Sequence, residues 1–421
     1  MNASRVRTFG ELIDSGVLLV SDGYRAKNEE LGGAGPIFLR AAHVTDSHID
    51  LAGVERFWPE LEGKVSSKLS RAGDVVVTTK GNSTGRVAFV AASLPPFVYS
   101  PHLSFWRSLD ENVVCPGFLR YWSRGREFRE QLKGLASSTD MAPYLSLADQ
   151  KRLRISLPEI TRQRSIAEVL GALDDKIDLN RRMNETLEAI ARAVFKSWFV
   201  DFNPVREGEG GAVEGLLSGE IPASWKRVPL DSIANFLNGL AMQKYPVLEE
   251  GDTLPVIKIA ELRRGDTAGS DLADSGIPGD YVIEDGDVLF SWSGTLEVVV
   301  WAGGRGALNQ HVFKVTSSRY PKWFYLYWIK AHLSEFRAIA AGKATTMGHI
   351  QRRHLSEAFV VVPSPDVLEQ IDRLMGPLLD RQLSNNIESR TLATLRDTLL
   401  PKLLSGEIRV QQAEEMVGEA V

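Results

Sequence analysis

Two sets of polar residues stand where short β-type runs break into turns, and their types suit hydrogen bonding to a polyanion with readable edges. In the first, Lys80, Asn82, Ser83, Thr84 and Arg86 fill the turn-rich stretch between the runs Asp74–Thr79 and Val87–Val90. In the second, Arg305, Asn309, Gln310 and His311 cluster, with Lys343, Thr345, Thr346, Arg352 and Arg353 further along. Arg and Lys match phosphates and guanine edges; Asn and Gln match adenine. Solvation explains any one of these residues equally well. A polar set that recurs in two parts of one chain favours binding.

Motifs for catalysis fail one by one. Asn203-Pro204-Val205 resembles the Asn-Pro-Pro-Tyr tetrad of amino-methyltransferases, but the second proline and the aromatic are missing. Gly32-Gly33-Ala34-Gly35 follows charged residues instead of a strand, so it does not make a nucleotide-cradling turn. The seven histidines form no pair at metal-ligand spacing; His43 and His48 read as plain surface residues. Cys115 is the only cysteine, so there is neither an internal disulfide nor a thiolate metal site. Asp174-Asp175 reads as a solvated helix face, because helix neighbours point apart. No catalytic residue, metal or cofactor is expected. With a net charge of −5, nucleic-acid binding has to come from local basic surface. The helical run Phe118–Lys133 offers one, with Arg120, Arg124, Arg126, Arg129 and Lys133 on its flank. No run of about 18 apolar residues exists, and the start, MNASRVRTFGELIDSG, lacks the apolar core of a signal peptide. A cytoplasmic protein with no membrane partner is expected.

The elements that position these residues are organised around two long helical stretches. From Ile166 the apolar positions step by four and three through Leu170, Leu173, Ile177, Leu187, Ala191, Val194 and Trp198, with Asn180 and Asn184 filling the missing steps. That is the seven-residue repeat of a coiled-coil seam. About 40 residues at roughly 1.5 Å each make a rod of about 60 Å. An echo follows at an ungapped offset of 205 residues: Pro158 falls on Pro363, Ile166 on Ile371, Gly171 on Gly376, Leu173 on Leu378, Asn180 on Asn385 and Leu187 on Leu392. Shared Pro, Gly and Asn at one offset indicate an internal duplication. The hexamer Leu-Leu-Ser-Gly-Glu-Ile also occurs twice, at 216–221 and 403–408. Its smaller offset leaves about 18 extra residues in the first copy, matching a Gly/Glu-rich linker.

The chain therefore divides into a globular domain over 1–157, a central long helix over 158–204 and a linker over 205–221. A second globular domain over 222–362, a C-terminal long helix over 363–410 and a tail over 411–421 follow. The expected class is mixed α/β (α+β): two similar domains separated by two long helices that form an antiparallel coiled coil. Asn180 and Asn385 lie midway along their helices. In a pair related by a pseudo-two-fold axis, only residues near that axis meet their own equivalents. Their pairing is expected to fix the register.

Two variable domains, each followed by a similar long helix with a proline before it and Leu-Leu-Ser-Gly-Glu-Ile near its end, resemble the DNA-specificity subunits of type I restriction-modification systems. The resemblance covers essentially the whole chain. It implies two target-recognition domains that each read half of a split double-stranded DNA site. It also implies a helix pair that docks two methyltransferase subunits, and restriction/translocase subunits that join later. It implies no catalysis and no cofactor in this chain. Base-reading residues do not carry over, because they lie in the divergent parts. Two other classes stand beside it: an adenine methyltransferase with a fused recognition domain, for which the length leaves no room, and a protein scaffold, which needs no tips that differ between copies.

Overall fold

The computed structural model describes residues 5–45, 48–136, 143–203, 225–247, 251–342 and 348–420. The chain forms two compact units. One comprises Met1–Asp175 with Leu392–Val421, and the other Lys176–Thr391. Each long helix contributes a segment to each unit.

The first unit holds a four-stranded sheet in which Leu18–Asp22, Leu103–Ser108, Val75–Thr78 and Val87–Phe89 are antiparallel neighbours. A second sheet pairs Ile37–Leu39 in parallel with Phe97–Tyr99 and antiparallel with Glu55–Arg56. The entering strand Arg5–Thr8 is closed by Arg154–Leu157 just before the first long helix. The second unit repeats this plan. Its four-stranded sheet runs Asn235–Asn238, Val312–Thr316, Val288–Ser291 and Val298–Val300. Thr253–Ile257 pairs in parallel with Gly306–Leu308, and Lys226–Pro229 pairs with Phe359–Val362 ahead of the second long helix.

The long helices are Ile160–Phe199 and Pro365–Ser405. Their apolar stripe is wider than a strict seam. Ile166, Val169, Leu170 and Leu173 are all buried, as are Ala191, Phe195, Phe199, Ile371, Met375, Leu379 and Leu392. Of the seam positions read from the heptads, Ile177, Leu187 and Leu378 are only half-buried. The physical reason is that each helix half meets a globular core as well as its partner helix. Phe195 and Phe199, for example, stack among Tyr327, Trp328, Trp323 and Phe324. A core-facing helix buries about three positions in seven, a coiled-coil seam two.

Three expectations need correcting. The run 118–133 is two helices, Pro116–Trp122 and Arg126–Ala136. They break at Gly125, where a Cβ would lie 2.6 Å from Leu404 Cδ1. The second long helix stops at Ser405, because Gly406 takes the left-handed φ of 81° that ends a helix. The expected tail is a helix, Val410–Ala420, seated through the buried Ala413.

Candidate nucleic-acid interface

Both polar tips hang from the same frame. In the first unit the Gly81 N–H donates to the Pro143 carbonyl at 3.1 Å, and Leu145 N–H donates to Thr79 O at 2.9 Å. In the second, Gly294 N–H donates to Gly348 O at 2.7 Å and Ile350 N–H to Trp292 O at 2.9 Å. The neighbouring strand is tied in alike: Thr79 N–H bonds His102 O at 2.9 Å, and Trp292 N–H bonds His311 O at 3.3 Å. A hydroxyl holds each loop from within. Thr78 Oγ1 donates to the Ser83 carbonyl, and Ser291 Oγ to Thr295 O at 2.8 Å. Two glycines make the close approach possible. A Cβ on Gly23 would lie 2.0 Å from Ser100 O, and one on Gly239 would lie 2.2 Å from Asn309 O.

On this frame the side chains differ. At the first tip Lys80 and Asn82 are the outward-facing pair, both exposed. Thr84 is turned toward the loop, its hydroxyl 2.7 Å from Gly81 O and 2.9 Å from Pro143 O, so it shapes the loop. Ser83 is half-buried and contributes its carbonyl. The Arg86 guanidinium donates to Val44 O at 3.0 Å and also lines a cleft of about 740 Å³. Arg124, Arg126, Arg129, Lys133 and Arg396 line the same cleft, against only Glu130 and Asp397. Arg126 is paired with Glu130 at 2.6 Å. Six cations thus line this cleft against two carboxylates.

The second tip is an aromatic–histidine cluster. His311 Nδ1 lies 3.1 Å from Ser293 Oγ, its Nε2 lies 3.4 Å from Gln310 Nε2, and its ring centroid is 5.6 Å from that of Trp292. Trp292 donates its indole N–H to Asn238 Oδ1 at 2.8 Å, and His349 stands edge-on to it. Asn309 is buried and accepts from the His311 N–H at 3.2 Å, so its side chain braces the turn. Arg305 lies just ahead of the strand Gly306–Leu308, paired with Glu284 at 3.2 Å. Arg352 donates to the Phe236 carbonyl at 2.9 Å, and Arg352 and Arg353 are both exposed. Lys343, Thr345 and Thr346 lie outside the described residues, as do the 205–221 linker with the first Leu-Leu-Ser-Gly-Glu-Ile copy and the Ser137–Thr139 loop. Sequence reasoning misses Trp292, Asn238 and His349, because only the fold brings them together.

Each globular part is fastened to its helix pair by a carboxylate. In the first unit Asp174 accepts from Arg120, from the Tyr121 hydroxyl at 2.8 Å, from Arg124 at 3.3 Å and from Arg396 at 2.6 Å. Burial alone would push this carboxyl up, but the three guanidinia outweigh it and hold it below the usual carboxylate range. Asp174 is thus not on a solvated face, contrary to expectation; its neighbour Asp175 is exposed. In the second unit the acid is Glu188, which accepts from the Tyr327 hydroxyl and from Lys330, both at 2.7 Å. Tyr121-x₂-Arg124 and Tyr327-x₂-Lys330 occupy corresponding places in the two domains, but Asp174 and Glu188 come from different halves of the first long helix.

Within the second unit the helix halves run antiparallel. Lys176 pairs with Glu388 at 3.1 Å, and eight residues on, Asn184 donates to the Gln382 carbonyl at 3.1 Å. Between them Asn180 Nδ2 lies 3.4 Å from Asn385 O and 2.8 Å from Glu388 Oε2, and Asn385 Nδ2 donates to Asn184 Oδ1 at 2.8 Å. The first unit has the same sense: Arg396 meets Asp174, and Arg162 donates to Leu403 O at 3.4 Å.

No group of His, Cys, Asp and Glu able to hold a metal ion, and no helix long and apolar enough to cross a membrane, occurs among the described residues. No family model matches the chain. Named relatives and a solved structure do. The chain is 23% identical over 437 residues to the type I restriction enzyme HindI specificity subunit of Haemophilus influenzae, covering 88% of this chain and 94% of that one. It is 25% identical over 376 residues to the MjaIX specificity subunit of Methanocaldococcus jannaschii, covering 86% of each. Its fold matches the crystal structure of the type I restriction-modification S subunit from M. genitalium, with a TM-score of 0.57 and 16% identity over 96% of both chains. The duplicated plan of two globular parts and shared long helices is thus similar, nearly end to end, to that of proteins named type I restriction enzyme specificity subunits.

Proposed function

We propose that this chain is the sequence-reading subunit of a type I restriction-modification complex and that each unit reads one half of a split double-stranded DNA site. The observation that carries this reading is one loop frame, held twice by matching hydrogen bonds, that presents Lys80 and Asn82 in one unit and a Trp292–His311 cluster in the other. A frame kept while its side chains diverge suits one task performed on two targets. The basic cleft beside the first tip supplies sequence-neutral phosphate binding, and the tips supply hydrogen bonds to base edges. Catalysis belongs to the partners: two methyltransferase subunits docked through the helices, and restriction/translocase subunits that join them in the cytoplasm.

The test is exchange of residues 80–86 for a Gly/Ser loop of equal length, followed by mapping of methylated sites on a plasmid library with the assembled methyltransferase. One half-site should relax, at about 1–3 kcal/mol of discrimination for each base edge no longer read, while the other stays unchanged. A change in both half-sites, or in neither, would refute the assignment.

A further inference from the structure

Tyr144 and His349 are related by the same 205-residue offset that relates the long helices, and each stands directly opposite a tip residue. Tyr144 forms an isolated antiparallel bridge with Lys80, and His349 forms one with Ser293. In both cases the backbone hydrogen bonds flank the pair instead of joining it. This is the arrangement in which two opposed side chains leave the ladder on one face and lie closest together. Their successors Leu145 and Ile350 are buried, so the alternation of side chains along an extended backbone turns Tyr144 and His349 to the outer face.

The two side chains differ in chemistry. Tyr144 is 55% exposed, so its ring and hydroxyl are open to a ligand. His349 is half-buried, edge-on to Trp292 at 6.3 Å. A lone exposed aromatic is ordinary on a protein surface. Here, however, the duplication supplies its own control: the backbone position is held by the same two bonds in each unit, yet the residue is replaced. We infer that Tyr144 and His349 are specificity-determining positions, each meeting a base edge in the half-site read by its own unit. This rests on the DNA-reading function proposed above. A phenol offers an apolar ring for a thymine methyl and a hydroxyl for an adjacent acceptor; an imidazole offers an N–H to guanine N7 or O6.

The experiment uses the full chain assembled with its methyltransferase subunits and a duplex library randomised across both half-sites, with methylated products sequenced. Tyr144→Ala should lower the preference at one base pair of one half-site by about 5- to 150-fold, the range for reading a single base. The other half-site should stay as it was. Tyr144→His should alter the preferred base at that position, and His349→Tyr should alter one in the opposite half-site. Tyr144→Ala with an unchanged site preference, or a uniform loss across both half-sites with a lowered Tm, would overturn the inference, the latter marking a merely structural role. If the wild-type complex selected no site at all, the DNA-reading proposal would fall, and this inference with it.

Discussion

Replacing Asp174 by alanine should cost the first unit more than any single surface change, and the structure sets the scale. The carboxylate is nearly buried, and the side chains of Arg120, Arg124 and Arg396 around it are each less than a fifth exposed. Removing one partner of a buried ion pair costs about 3–5 kcal/mol, because the opposite charge is left desolvated and unpaired. Here three like charges would be left facing one another. In a unit of about 200 residues each kcal/mol lowers Tm by about 2–4 °C, so a fall of about 6–20 °C is expected. Asp174→Asn should cost less, since an amide oxygen still accepts from Tyr121. The pH dependence separates charge from packing. A carboxyl whose pKa is lowered by folding stabilises above its unfolded pKa, about 3.9, and that contribution is lost as the pH falls through the folded value. Wild type and Asp174→Asn should therefore differ most near neutrality and converge in acid. Because two units need not unfold together, hydrogen exchange on peptides of each unit is the suitable readout, alongside calorimetry. A destabilisation below about 1 kcal/mol, or a gap between the two proteins that does not narrow below about pH 4, would refute the reasoning.

Changing Asn180 and Asn385 together to leucine should raise the Tm, because the carboxamide oxygen of Asn180 and that of Asn385 are buried without a partner, at about 1–3 kcal/mol for each such group. The same change should broaden the spacing of half-sites recovered from a library; a lower Tm would count against the polar layer as a device for register. Arg129→Ala with Lys133→Ala should weaken DNA binding equally for all sequences. It should reduce the slope of log affinity against log salt by about 0.9 for each phosphate no longer neutralised, read by fluorescence anisotropy; an unchanged slope places the duplex elsewhere. Gly239→Ala should disturb the turn that carries His311, since its Cβ would lie 2.2 Å from the Asn309 carbonyl. Methylated-site sequencing should then find the second half-site degraded and the first intact; two intact half-sites would mean that the turn does not set the readout.

The duplication, the long helices and the strands around the first tip are legible because they are written in period and offset. Val75–Thr78 and Val87–Phe89 lie inside runs marked by β-branched residues and separated by a glycine-containing turn. The polar tips can be located from sequence, but not sorted. Thr84 and Asn309 bear the same chemistry as Ser83 and Asn82, and only the folded hydrogen bonds reveal that the side chains of the first two brace the loops. Asp174 misleads for a related reason: its helical neighbours say nothing of Arg396, which is 222 positions away. Phe195 and Phe199 fall off the heptad because a globular core, and not the partner helix alone, buries them. Tyr144 and His349 carry a signal, the 205-residue offset, yet it gains meaning only once both are seen opposite the tips.

The Tyr-x₂-basic joint bears on how such a chain can change its target. On the globular side the fastening is the same in both units, a tyrosine hydroxyl and a cation three residues on, and the first long helix supplies the acid from either of two positions. On the reading proposed above, a recognition half moved to the other seat brings its tyrosine and its cation with it and meets a carboxylate there. New pairs of half-sites then arise by reassortment of existing parts, with no change in the long helices.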